Sequence, residues 1–150
     1  MCGISGTIVN KHYNSGVKVN PEELSILIQN IKNGKADIDQ LLEKTWEYKS
    51  NVNFIRYVNS KAERDSVTNI ANKILELANH YLSSSKKIDK RSSPQLFVKK
   101  YEEYEKLLDC NWFLSHEVKN WYNSLVNLIN CDITKLENHS IIFFKSILII

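Results

Sequence analysis

The sequence predicts a mostly α-helical chain with one short β-strand at its amino end. Three observations carry this. Apolar residues recur every three or four positions through most of residues 20–130. That region is punctuated by helix starts and stops: Asn20-Pro21, Gly34, Asp37, Ser60 and Ser93-Pro94. The first ten residues, with Ile4, Thr7, Ile8 and Val9, have the β-branched run of a buried strand. The chain has 150 residues, 43% hydrophobic and 25% charged. That is enough to bury a core and too apolar for general disorder.

Each element follows from local chemistry. His12 to Val19, around Ser15-Gly16, reads as an irregular connection. Asn20, Pro21 and Glu23 form a helix start, because proline is tolerated where the first N–H groups are unbonded anyway. Leu24, Leu27, Ile28 and Ile31 share one face of that helix, and Gly34 ends it. Asp37 caps a second helix with Ile38, Leu41, Leu42 and Thr45/Trp46 inward. Residues 51–58 suit either a strand or a helix. Ser60 caps a long helix on which Val67, Ile70, Ile74, Leu77 and Tyr81 form the clearest period in the chain. Residues 83–93, with five serines and the basic Lys86, Lys87, Lys90 and Arg91, read as a loop. Pro94 opens a helix with Phe97, Tyr101, Tyr104 and Leu108 on one face. Another helix, from about Ser115, buries Val118, Trp121, Tyr122, Leu125 and Ile129.

Composition narrows function more than it assigns it. A net charge of +3 argues for neither nucleic acid nor a membrane surface as partner. The aromatics, Trp46, Trp112 and Trp121 among them, fall on core periods and not among basic residues as a base-stacking surface requires. The three cysteines, Cys2, Cys110 and Cys131, are odd in number and lack CxxC spacing, as in a reducing cytoplasm. Cys110 and Cys131 read as small core hydrophobes. His12, His80, His116 and His139 are scattered, and His116-Glu117 lacks the second histidine of a zinc helix, so no metal is expected. No glycine-rich phosphate loop is present and no cofactor is expected. The start lacks the basic-then-apolar pattern of a signal peptide.

The most informative residue is Cys2. Its neighbours are Met1-Cys2-Gly3-Ile4-Ser5-Gly6. Methionine aminopeptidase removes Met1 before a small side chain, leaving a thiol and a free α-amino group on one residue. A thiol with pKa about 8.5 is mostly protonated at neutral pH, whereas an α-amine of about 7.7–8.0 is partly neutral and can act as its base. Cys, Gly, Ile and Gly at these four places coincide by chance on the order of once in 10⁴ chains or fewer.

This opening resembles that of the class II, or N-terminal-nucleophile, glutamine amidotransferases, most closely the glutamine–fructose-6-phosphate aminotransferase (glucosamine-6-phosphate synthase) type. Asparagine synthetase and phosphoribosyl-pyrophosphate amidotransferase share it. The resemblance implies that Cys2 is the nucleophile, with its own α-amino group as base, and that Gly3 lines the glutamine pocket. It implies an α+β four-layer Ntn-hydrolase sandwich to which residues 1–19 contribute the first strand. The partners it implies are glutamine and a sugar phosphate, with a homodimer in the full-length enzyme. Glutamine would be hydrolysed to glutamate and ammonia, and the ammonia passed on to the sugar phosphate.

The resemblance covers about ten residues. No Arg-Gly-x-Asp-Ser or Thr-Arg-Trp segment follows, and Asn33-Gly34, the single Asn-Gly pair, falls at a helix end. Arg56, Arg64 and Arg91 are the only arginines, none before glycine. Without an oxyanion hole or carboxylate clamp, these 150 residues are not expected to turn glutamine over. Residues 20–136 read as a helical insertion after the first strand, an arrangement that resembles a subset of glucosamine-6-phosphate-synthase-like proteins. Residues 137–150, ending in the apolar run from Ile141 to Ile150, read as the start of a next element cut short. The alternative is a standalone helical interaction module without catalysis.

Overall fold

Cap chemistry and apolar period set the helices of the computed structural model, which describes residues 16–130. In chain order these are α1 (Pro21–Lys32), α2 (Ile38–Glu47), α3 (Asn51–Asn59), α4 (Lys61–Lys86), α5 (Pro94–Trp112), a π-helical turn (Phe113–Glu117) and α6 (Val118–Asn130). The chain is mostly helical, and no strand occurs among the described residues. The expected first strand, with Cys2 and Gly3, and the apolar run 141–150 lie outside them.

Several boundaries follow the residues that predict them. Gly34 has φ +70°, and its N–H donates to Ile31 O (3.1 Å) while Lys35 N–H donates to Asn30 O (2.8 Å). These bonds satisfy the last carbonyls of α1, and only glycine adopts that backbone without strain. Asp37 Oδ1 accepts from Gln40 N–H and Gln40 Oε1 accepts from Asp37 N–H, both at 3.0 Å, closing a reciprocal cap on α2. Ser60 Oγ accepts from Glu63 N–H (3.2 Å) at the start of α4.

The core lies between four helices that pack in a ring: α1 touches α2 and α4, and α5 touches the same two. The α4–α5 hairpin is antiparallel, with Ala71 and Ala78 buried on α4 so that α5 approaches closely. Helices α2 and α5 run parallel: Lys106 pairs with Asp39 (2.6 Å), and Phe113 meets Trp46 further along. Leu24, Leu41, Ile74, Leu107 and Leu114 are among the side chains sealed inside. At about 1.5–3 kcal/mol per fully buried aliphatic side chain, this core is the main stabilising term. Aromatic pairs Phe54–Trp121 and Tyr57–Tyr122, both edge-to-face, fix α6 against α3.

The structure settles one open reading and refines the sequence reading at three other places. Residues 51–58, open between strand and helix, are helical. The serine-rich stretch from Ser83 continues α4 to Lys86, so the loop begins later; Ser85 is buried, with its hydroxyl donating to Leu82 O (2.8 Å). Phe97, Tyr101 and Tyr104 lie along one side of α5, Phe97 stacked on Tyr101 and Tyr104 tilted against it; Tyr104 and Leu108 pack against the core, while the fully buried positions of α5 are Leu107 and Cys110. Trp46 (42% exposed) and Trp112 (54%) are not core residues. Thr45 takes the inward place beside Trp46, its hydroxyl satisfied by Leu41 O (2.8 Å).

No break separates α5 from α6. The helix widens by one residue, with Val118 N–H donating to Phe113 O. The Ser115 hydroxyl donates to Asn111 O (2.7 Å), and Asn111 Nδ2 reaches across to Ala71 O (2.7 Å). Both bonds support a wide turn where the end of α5 lies against α4.

Candidate functional site

Cys2 and Gly3, the candidate nucleophile and its neighbour, lie outside the described residues. What is described is the strap that leads from that end into the bundle, residues 16–19. Its side chain Val19 is buried, and its backbone groups are bonded to α3. Asn53, fully buried, accepts from Val19 N–H through Oδ1 (2.9 Å) and donates through Nδ2 to Val17 O (2.8 Å). Nδ2 also lies 3.2 Å from Glu47 O and 2.7 Å from Ser50 Oγ. The Ser50 hydroxyl donates to Val17 O as well (3.0 Å). One asparagine amide thus presents to residues 17 and 19 the donor and acceptor that a neighbouring strand would supply. The approach is close: a Cβ on Gly16 would sit 2.3 Å from Ser50 Cβ.

A second layer holds the other side of the strap. Arg56 donates to Val19 O and, through Nη1, to Asn20 Oδ1 (3.3 Å). Its Nε and Nη2 both approach Glu63 Oε1 at 2.8 Å. The Tyr48 hydroxyl donates to the same oxygen (2.9 Å). Burial, followed by the Glu63 carboxylate, holds the Tyr48 phenol well above its usual pKa. The charges are paired, and no buried side-chain polar atom among the described residues lacks a partner. This cluster is chemically spent: every group in it is committed to structure.

The remaining candidates are dispersed. Cys110 is sealed in the core, and burial pushes its thiol up to about 11, the opposite of an activated nucleophile. Cys131 lies outside the described residues, as do His12 and His139. Ser115 Oγ stands 2.8 Å from His116 Nδ1, a spacing a serine–histidine pair would need. Its proton is spent on Asn111 O, however, and the His116 ring lies flat on Trp112 with planes 9° apart. An imidazole placed this way is a stacking partner and not a base for that serine. Among the described residues no group of three His, Cys, Asp or Glu is placed to hold a metal ion. None of their helices is long and apolar enough to cross a membrane.

Comparison with family models, with curated proteins and with solved structures finds no match. The site must therefore be read from its own chemistry. The residues that tie the strap, Asn53 and Arg56, escaped the sequence reading. Their only signal was two polar side chains inside the apolar stretch 52–58, where a helix face would otherwise be continuous.

Proposed function

We propose that this chain carries the nucleophile end of a class II glutamine amidotransferase, with the helical bundle following the first strand as an insertion. The observation that carries the reading is the opening Met1-Cys2-Gly3-Ile4-Ser5-Gly6. After loss of Met1, the Cys2 α-amine takes the thiol proton, and the thiolate attacks the side-chain amide carbon of glutamine. The amide nitrogen leaves as ammonia, a γ-glutamyl thioester remains, and water releases glutamate. Gly3 leaves room for the substrate beside the nucleophile. The first strand belongs to the four-layer Ntn sandwich, and the ammonia goes to a sugar phosphate in the full-length enzyme, a homodimer.

The test is intact-mass and peptide mass spectrometry of the purified chain after brief treatment with a glutamine-mimicking electrophile. Cys110 serves as an internal control, because its buried, protonated thiol does not compete. The expected result is Met1 absent and the label on Cys2, without sustained glutamate production. Retained Met1 leaves no free amine on Cys2 and defeats the mechanism at its first step.

One observation favours a second reading, a helical interaction module without catalysis. Among the described residues, the strap, its clamp and a buried core occur together. Deleting residues 1–10 separates the two. A bundle that keeps its helical circular dichroism and cooperative melting is autonomous; one that collapses shares a structural unit with the first strand.

A further inference from the structure

We infer that the bundle holds a second, independent site: a cleft between α1, α4 and α5 that takes a small organic anion, an aryl phosphate or a carboxylate of similar size. The cleft has a volume of about 520 Å³, within the range of small-molecule sites. Its floor is apolar, made by Ile31, Leu77 and the ring of Tyr81. Lys32, Lys100 and His80 stand around that floor. Lys100 Nζ lies 4.8 Å from the Tyr81 ring centre and 3.3 Å from Glu103 Oε2, which fixes an ammonium at the edge of the floor. A second hollow of about 350 Å³ lies along α1, shares Lys32 and Glu76 with the cleft and adds Lys73, whose ammonium donates to Ser25 Oγ (3.0 Å).

These groups are available to a ligand. In the strap cluster each polar side chain is paired. Here Lys32, Glu76 and the Ser84 hydroxyl have neither a hydrogen bond nor an ion pair among the described residues. An anion between Lys32 and Lys100 gains two charge-assisted contacts. Its apolar body covers Ile31, Leu77 and the Tyr81 ring, and Ser84 offers a hydroxyl beside the anion. Glu76 is the opposing charge: it limits the cleft to one anionic head and accepts from a hydroxyl or amine on the ligand. This site does not involve Cys2 and stands whether or not the amidotransferase reading does.

The test is titration of the full chain, ¹⁵N-labelled, with phenyl phosphate, benzoate, inorganic phosphate and benzyl alcohol at constant ionic strength. Saturable amide shifts confined to residues 28–34, 76–84 and 97–103 are expected with phenyl phosphate and, more weakly, benzoate. Inorganic phosphate and benzyl alcohol should bind at least about tenfold more weakly, because each offers only half of the contacts. Lys32→Gln should weaken phenyl phosphate about tenfold, and Glu76→Gln should tighten it severalfold. Both side chains are on the surface, so neither change threatens the fold. Equal binding of inorganic phosphate, insensitivity to both substitutions, or no saturable shift with phenyl phosphate overturns the assignment.

Discussion

Replacing Asn53 by alanine should cost this protein about 3 kcal/mol, by either of two routes. If the strap stays in place, the Val19 N–H is left buried without an acceptor, at about 1–3 kcal/mol. The donations from Nδ2 to Val17 O and Glu47 O are lost too, at about 0.5–1.5 kcal/mol each, although Val17 O keeps the Ser50 hydroxyl. If the strap instead releases into water, those groups are hydrated but the Val19 side chain leaves the core. Exposing a fully buried valine costs about 1.5–3 kcal/mol, and the Arg56 bond to Val19 O goes with it. The routes agree in magnitude and differ in what they leave behind. Urea denaturation followed by circular dichroism gives the energy; for a chain of this size a loss of about 3 kcal/mol lowers the melting temperature by roughly 6–12 °C. Amide exchange at Val19 tells the routes apart, since only release abolishes its protection. A loss below about 1 kcal/mol with the Val19 amide still protected would refute the clamp as described.

Other expectations concern single positions. Gly34→Ala should destabilise by about 1–2 kcal/mol in a thermal melt, from left-handed backbone alone, because nothing lies within 4 Å of the added Cβ. Gly16→Ala should instead act by collision with Ser50 and displace the strap; Ser50→Gly in the same chain should recover part of the loss. Burial raises the Cys110 thiol from 9.0 to about 11, so the folded protein holds that proton longer than the unfolded chain does. The resulting stability is fully present below pH 9 and is lost as pH rises through 11. Denaturant midpoints at pH 8 and 10.5 should therefore fall less for Cys110→Ala than for the unaltered chain; equal slopes would contradict the buried thiol.

How much of this was legible in the sequence depends on the range of the interactions. Asp37 and Gln40 bond within three residues, and the Gly34 stop is settled by its own turn, so both could be read from local pattern. The faces of α1 and α4 were legible because each helix is buried along one continuous stripe. Trp46 and Trp112 were not, because size and apolarity say nothing about where a partner helix ends. Trp46 lies at the rim, against Phe113 and beneath Lys49, a place only the α2–α5 packing defines. The wide turn at Phe113–Glu117 has no glycine or proline to announce it. It is stabilised by a serine hydroxyl and by a contact forty residues away, at Ala71.

Asn53 shows why the strap in particular could not be foreseen. Its partners Val17 and Val19 are 36 and 34 residues distant, and within its own helix it looks like an unfavourable residue interrupting an apolar run. A buried asparagine is tolerated only when its amide is satisfied, and this one is satisfied by a backbone segment that has no regular structure of its own. Residues 16–19 need α3 to satisfy their backbone, and α3 needs them to neutralise the buried side of Asn53 and Arg56. The bundle and the root of the amino-terminal segment therefore form one cooperative unit. A deletion that stops at residue 10 spares that unit, whereas one extended to residue 19 removes the strap partners of Asn53 and Arg56 and leaves them only Asn20, Glu47, Ser50 and Glu63. The longer deletion should melt at lower temperature than the shorter one even if residues 1–10 contribute nothing to the bundle. Equal melting temperatures would show that the strap is passive and that the core alone holds the helices.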